Sequence, residues 1–447
     1  MGYKLSDYNI FVNYDHKHLL FNGLTGALLE LSGEARQRIE QERDFAGIAA
    51  ESPRLFHSLT QTRCIVDEAV NEHDFLVRRN RAAVYQDRVY QLFINPTMNC
   101  NFSCWYCYEN HVKSRMGEEM KARVIKHVSL LMERGEIQGL AMHWFGGEPL
   151  MTFSSVVYPL SKALKDLAVS HGIPFSNAIT TNGFLLSEKH MALYREIDLL
   201  AYQITLDGDE ERHDNIRFLK GNQRPTYARI VENIHMLAKG LEGARINVRI
   251  NFEKKTLEKI DHLFADFSPE VRSRLNFDMH RVWQTYDESK PGEDTDLYET
   301  LMKFEDAGFI AGSSANEFVL HRGKKCYADK WYQAVVNYDG NVYKCTARDF
   351  NEANAEGRLL ESGEIAWNEE KQNRRFHRSP MARERCRDCK LLPLCMGPCS
   401  QQMIEIGEPE RNSYCWLDHL ELSVADYVID RYETLKNKSK QMGAVAV

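Results

Sequence analysis

The chain has 447 residues, 43% of them hydrophobic and 27% charged, which is enough to bury a large core and to divide into two or three domains. A formal charge of −7, with neither sign gathered into a long block, excludes the basic footprint that captures nucleic acid or an anionic membrane, so neither is expected as a partner. The opening MGYKLSDYNIFVNYDHKHLL lacks the features of a secretory signal, and no run approaches roughly 18 uninterrupted apolar residues; a soluble cytoplasmic protein is expected.

Residues 1–88 begin with YNIFVNY, a polar turn at Asp15 to Lys17 and HLLFNG, and continue with TGALLELSGEARQRIEQ. This predicts a hairpin followed by a helix in a small N-terminal α+β unit. Over residues 89–310 the pattern changes to short apolar runs: QLFINP, AMHWFGGEP, SNAITTNG, AYQITLDG, INVRINF and NFDMHRV. Amphipathic stretches such as MKARVIKHVSLLMERG, VVYPLSKALKDLAVSHG and YARIVENIHMLAKG lie between them. Six βα units of this kind predict an α/β fold, a partial TIM-like (β/α)6 barrel, whose ligands would bind beyond the carboxyl ends of the strands. Residues 311–425 are rich in Cys, Arg, Gly and Pro and read as a compact metal-stapled domain. A C-terminal helix and frayed tail are expected over 426–447.

Eleven cysteines are unevenly spread: Cys64 stands alone, three fall within 100–107, and seven lie between 326 and 415. Without a secretory signal such clustering favours metal over disulfides, while Cys64 reads as a small buried apolar side chain. In the loop after QLFINP the spacing Cys100-x3-Cys104-x2-Cys107 can ligate three corners of a cubane cluster and leave one iron open. A zinc site would need a fourth ligand, and His111 is the near candidate.

These residues resemble the radical S-adenosylmethionine superfamily, including the aromatic Tyr106 before the last cysteine. The resemblance extends to Gly146-Gly147-Glu148-Pro149 at the second strand end, which implies contact with the amino group of the cofactor's methionine moiety. It likewise implies that Thr181, Asn182 and Arg217, after the third and fourth strands, meet the ribose and the methionine carboxylate. Glycines allow close backbone approach, Glu148 can accept from an ammonium, and the arginine fork suits a carboxylate. Arg249 and Asn251 on the fifth strand could line the same cavity, as could Tyr202, Gln203, His280, Tyr332 and Asp349.

The C-terminal array reads Cys326, Cys345, Cys386-x2-Cys389-x5-Cys395-x3-Cys399 and Cys415. Taken alone it could be a pair of zinc ribbons. Its full spacing resembles the SPASM extension of radical enzymes, which implies two auxiliary [4Fe–4S] clusters and three clusters in all. By that resemblance Cys386, Cys389, Cys395 and Cys415 hold one, while Cys326, Cys345 and Cys399 hold the other with only three thiolates, which leaves its fourth iron open or to a water or a substrate ligand. The same resemblance implies S-adenosylmethionine as cofactor, a low-potential donor such as flavodoxin or ferredoxin, and a 5′-deoxyadenosyl radical that takes hydrogen from a substrate.

Enzymes with this extension mostly act on peptides, so a maturase that crosslinks a ribosomally made precursor peptide is expected, its leader and core both being partners. The N-terminal unit would then receive the leader by strand addition. The second expectation is an anaerobic sulfatase-maturating enzyme. Such enzymes generally carry Asp immediately after the cysteine of the G-x4-C segment; here that position is Thr346, and Asp349 lies three residues further. A third reading, of another class, is a non-catalytic electron carrier or zinc-ribbon module.

Overall fold

The computed structural model describes residues 2–282, 297–313, 326–376, 383–406, 413–415 and 423–441. The chain divides into two units, one containing Met1–Val84 and Arg378–Val447, the other Tyr85–Ser314 and Cys326–His377.

In the first unit, β1 (Tyr3–Leu5) pairs with β5 (Ile65–Asp67), and β2 (Asn9–Tyr14), β3 (Lys17–Asn22) and β4 (Leu28–Leu31) form an antiparallel sheet with β3 central. Asp15 and His16 make the β2–β3 turn with φ of 45° and 62°. Both are left-handed, as a two-residue hairpin turn requires. The predicted helix starts later than its apolar pattern suggested. Leu28–Leu31 joins β3 as a strand, and helix begins only at Gly33, where Ser32 accepts from the Ala35 N–H at 3.1 Å. Four apolar-rich residues fit either period, and the open edge of β3 decides for the strand. Leu20, Leu31, Ile39, Phe45, Ile48, Leu59, Ile65 and the fully buried Cys64 make one core.

The second unit contains all six expected strands: β6 (Val89–Asn95), β7 (Gly139–Trp144), β8 (Phe175–Thr181), β9 (Leu199–Leu206), β10 (Arg245–Phe252) and β11 (Leu275–Arg281). They run parallel in sequence order. Helices Glu118–Glu133, Tyr158–Ser170 and Tyr227–Gly240 fall on the amphipathic stretches. Trp144, fully buried, donates its indole N–H to Ser161 at 3.1 Å and pins the second of these helices to β7. Two parallel strands extend the set: β12 (Ile310–Ser313) on β11 and β13 (Gln333–Asn337) on β6. A meander of β14 (Asn341–Tyr343), β15 (Gly357–Leu359) and β16 (Ile365–Trp367) follows β13, so the 11-stranded sheet stays open.

The cysteine-rich stretch expected as one domain over 311–425 is thus shared between units. Gln333–Asn337 is buried at every position and reads QAVVN, the composition of a strand covered on both faces. That burial fixes it on the barrel, whereas the segment from Arg378 belongs with the N-terminal sheet.

His143 on β7 stacks on Phe93 with centroids 4.4 Å apart, and burial pushes its imidazole down to about 4 from 6.5. The unfolded chain therefore binds the proton more readily between these values, and stability falls as pH drops through that window. His143→Phe is expected to flatten the stability profile between pH 6.5 and 4, measured by anaerobic urea unfolding.

Candidate functional site

Beyond the carboxyl ends of the parallel strands lies a cavity of about 180 Å³. The loop after β6 contributes Cys100, Cys104, Tyr106, Cys107 and Glu109; β7 contributes Gly146 and Gly147; β8 contributes Thr181 and Asn182. Gln203 and Thr205 from β9, Arg217, Arg249 and Asn251 from β10, and Arg281 complete the wall. Strand alternation explains why Gln203 faces it while its neighbour Tyr202 is buried against Tyr194 on the other side of the sheet.

The cysteine loop is held at several points. Thr97 donates to the Ser114 carbonyl at 2.7 Å, Lys220 N–H to the Asn101 carbonyl at 2.8 Å, and Ser103 N–H to the Phe218 carbonyl at 3.2 Å. Burial, aided by the charge of Glu148, pushes the Cys100 thiol up to about 12. A bound metal cation reverses that preference, because thiolate rather than thiol is the ligand. Cys100, Cys104 and Cys107 all line the one cavity. His111 Nε2 lies 3.4 Å from Cys107 Sγ, and the ligand atoms of Cys107, Glu109 and His111 fall within 4.8 Å of one another.

Gly146 and Gly147 have φ of +75° and +51°. A Cβ on Gly147 would stand 2.4 Å from the Asn99 carbonyl oxygen, and one on Gly146 2.7 Å from the Asn95 side chain. The close backbone approach anticipated for a ligand is therefore made to the cysteine loop itself. Gly147 N–H donates to Glu109 at 2.6 Å, and burial raises the Glu109 carboxyl to about 7. Glu148 N–H donates to the Asn99 carbonyl at 2.9 Å.

Glu148 does not form part of the cavity wall. It is fully buried, and its carboxylate accepts from Thr181 Oγ1 at 2.8 Å, Asn182 N–H at 2.8 Å and Leu150 N–H at 2.9 Å. It braces the end of β8, where the resemblance implied that it would face an ammonium. Asn182 in turn donates to Asn101 Oδ1 at 2.8 Å, which closes a ring from the cysteine loop through β7 and β8.

On the opposite wall Tyr106 donates its hydroxyl to Asp207 Oδ2 and accepts from Arg217 at 2.6 Å and Asn251 at 3.1 Å. Asp207, fully buried at the end of β9, also accepts from Asn251 N–H at 3.3 Å. Arg217 lies 3.7 Å from Asp207, with its guanidinium carbon 5.7 Å from the Phe102 ring centroid. Its buried Nε has no partner among the described residues, so a donor remains for an anion. Sequence reasoning passed over Asp207 and Glu109; an acid directly after a strand, in TLDG, was the available signal for the first.

Tyr327 is half-buried where it feels the charges of both Cys326 and Cys345, and its hydroxyl meets Thr346 Oγ1. Tyr108 donates to the Thr346 carbonyl at 2.7 Å. Asp349 accepts from the Asn110 N–H at 3.0 Å and from Asn351 at 3.1 Å, and is outside the cavity wall. In the first unit the thiols of Cys386, Cys389 and Cys395 are raised by burial, each also feeling Cys415. Cys399 stands at the N-cap of helix Ser400–Glu405 in that same unit.

Residues 94–266 match the model of the radical SAM superfamily, and residues 326–390 that of the SPASM iron–sulfur cluster-binding domain. The chain carries a radical SAM domain followed by a SPASM domain. It is similar to Fe-coproporphyrin III synthase of Methanosarcina barkeri, 25% identical over 55% of either chain. The match thus spans about half of that relative's length. It is also similar to the cysteine-type anaerobic sulfatase-maturating enzyme of Clostridium perfringens, 23% identical over 72% of this chain and 93% of that one. Among solved structures, anSMEcpe with bound AdoMet and Cp18Cys peptide superposes with a TM-score of 0.52 at 17% identity, covering 79% of this chain and 99% of the other. SuiB of Streptococcus suis gives a TM-score of 0.50 at 14% identity, covering 91% and 98%. These likenesses show the fold. In the described residues no helix is long and apolar enough to cross a membrane.

The radical SAM site fits its cofactors by its own chemistry: three cysteines lining one cavity offer a thiolate donor set, and a buried arginine keeps an unpartnered N–H. Glu148→Gln places an amide NH2 against one of three donors. It is expected to weaken S-adenosylmethionine binding about tenfold or more, read by equilibrium dialysis.

Proposed function

We propose that the protein is a radical SAM peptide maturase of the cytoplasm that oxidatively crosslinks a residue of a ribosomally made precursor peptide. The observation that carries the reading is one cavity that combines the Cys100, Cys104 and Cys107 loop with Thr181, Asn182 and Arg217 at strand ends. Cys100, Cys104 and Cys107 would hold a [4Fe–4S] cluster, and Tyr106, Gly146, Gly147, Thr181, Asn182 and Arg217 would hold S-adenosylmethionine. When bound, these groups supply one-electron cleavage of the sulfonium and a radical that abstracts hydrogen. Glu148 serves as a positioning residue, since its carboxylate contacts the backbone that presents Asn182.

The chain's own residues orient the cofactor. Arg217, itself buried, offers its Nε to a carboxylate, and Asp207 fixes the Tyr106 hydroxyl. Auxiliary clusters, one of them on Cys386, Cys389, Cys395 and Cys415, would accept the electron that a net two-electron oxidation releases. A flavodoxin or ferredoxin would supply the low-potential electron that starts each turnover.

A peptide substrate is supported by anSMEcpe, solved with AdoMet and the Cp18Cys peptide. The N-terminal sheet supports the maturase reading, because β4 is an edge strand against which a leader can pair. Sulfatase maturation is the second reading, favoured by a match that spans 93% of the Clostridium perfringens enzyme. Against it, Thr346 stands at the position where that reading needs an aspartate, and Asp349 is not part of the cavity wall.

Anaerobic reconstitution is expected to give roughly twelve irons per chain and 5′-deoxyadenosine under dithionite, and the latter is lost in a Cys100/Cys104/Cys107→Ala variant. Zinc in place of iron, with no deoxyadenosine, would falsify the proposal. Oxidation of a sulfatase cysteine or serine by the reconstituted enzyme would transfer it to the second reading.

A further inference from the structure

The β2–β3 hairpin is apolar on both faces, and strand alternation sends its side chains to two different cores. Leu20 packs with the helices over 45–61, whereas Val12, Leu19 and Phe21 on the other face are covered by Leu394 and Val428. Leu394 is fully buried and comes from the cysteine segment, between Cys389 and Cys395. Its neighbours Leu392 and Met396 pack with Tyr8, Leu24 and Leu76, and Cys386 and Cys389 lie against that same cluster. Arg79 ties the two parts by hydrogen bonds, donating to the Leu24 carbonyl at 3.2 Å and to the Pro393 carbonyl at 3.1 Å.

The segment that covers this face cannot hold its own shape. Between residues 383 and 399 its regular structure is two helical turns of four residues, Glu384–Arg387 and Leu392–Cys395, far shorter than a helix that persists alone. Met396, between the turns and Cys399, is in the left-handed region at φ 56°, a conformation that a non-glycine residue keeps only when its surroundings impose it. The constraint at hand is the thiol set. Cys386 and Cys389 lie against the cluster of Tyr8, Leu24 and Leu76, Cys395 lies against that of Leu394, and Arg383 donates to the carbonyl of Tyr414, next to Cys415, at 2.9 Å; all four thiols are free of disulfides, and metal-ligand bonds are the means by which such small segments are fixed.

We infer that the metal site of Cys386, Cys389, Cys395 and Cys415 is the staple of the N-terminal sheet, and that metal loss releases β2–β3 and helix Glu72–Tyr85 while the barrel stays folded. The inference goes beyond the proposed activity and holds whichever metal fills the site. It makes the N-terminal unit conditional on a metal whose ligands lie more than 350 residues downstream of the hairpin.

The test is hydrogen–deuterium exchange with mass spectrometry on the full reconstituted chain, comparing wild type with Cys389→Ser/Cys395→Ser, Cys104→Ser and Leu394→Ala. The double cysteine variant should exchange about tenfold faster in residues 9–22 and 72–84, with β8 and β10 unchanged. Cys104→Ser should leave the hairpin at its wild-type rate. Leu394→Ala should loosen the hairpin with metal content intact, which separates packing from loss of the ligands. The staple is refuted if the hairpin keeps wild-type exchange in the double variant, if Leu394→Ala leaves it unchanged, or if Cys104→Ser releases it equally. Loss of protection in β8 and β10 of the double variant counts against it too, because the staple is local.

Discussion

Burying the Glu148 carboxylate where no water reaches it is costly, and the cost is offset only because three donors are fixed around it. Those donors come from the turn after β7 and from the end of β8, while Glu148's own N–H reaches the cysteine loop after β6. One residue therefore sets the mutual position of three strand ends. Cys100, Gly146, Gly147, Thr181 and Asn182 all depend on that position to share a cavity. Satisfied buried networks of this kind are rigid, which suits a site that must orient a reactive cofactor and exclude solvent.

The opposite wall follows the same principle with a different acid. Asp207 holds the Tyr106 hydroxyl and Asn251, and Tyr106 carries Arg217. The guanidinium is thereby aimed and held, yet one N–H remains for an anion. An arginine without such support would spend side-chain entropy on every binding event. Glu148 and Asp207 are thus positioning groups behind the wall, and the groups that face the cavity are the ones they hold.

Packing and sheet pairing divide the cysteines in an unexpected way. Cys326 and Cys345 flank β13, whose pairing with β6 makes them part of the barrel unit. Cys386, Cys389, Cys395, Cys399 and Cys415 belong with the N-terminal hairpin, whose second apolar face Leu394 covers. A stretch that is uniform in composition is therefore not uniform in its packing partners.

The six parallel strands, their helices and the three cysteine-bearing positions after β6 were legible because they rest on local signals: period, strand-end glycines and fixed spacing. The fate of LLEL was not, since four residues carry too little periodicity to separate strand from helix and the open edge of β3 chose. Nor was QAVVN legible within its cysteine-rich surroundings. The roles of Glu148 and Arg217 depended on what stands around them: GGEP marks a strand-end turn, but whether its carboxylate meets a ligand or Asn182 is a matter of contacts between residues 34 apart. The sequence by itself determined the six βα units and which chemistry its cysteines can support, because those follow from neighbours along the chain. Only the tertiary structure decided which side chains face the cavity, which stand behind it, and which unit each cysteine joins, because burial and hydrogen-bond partners are set by residues distant in sequence.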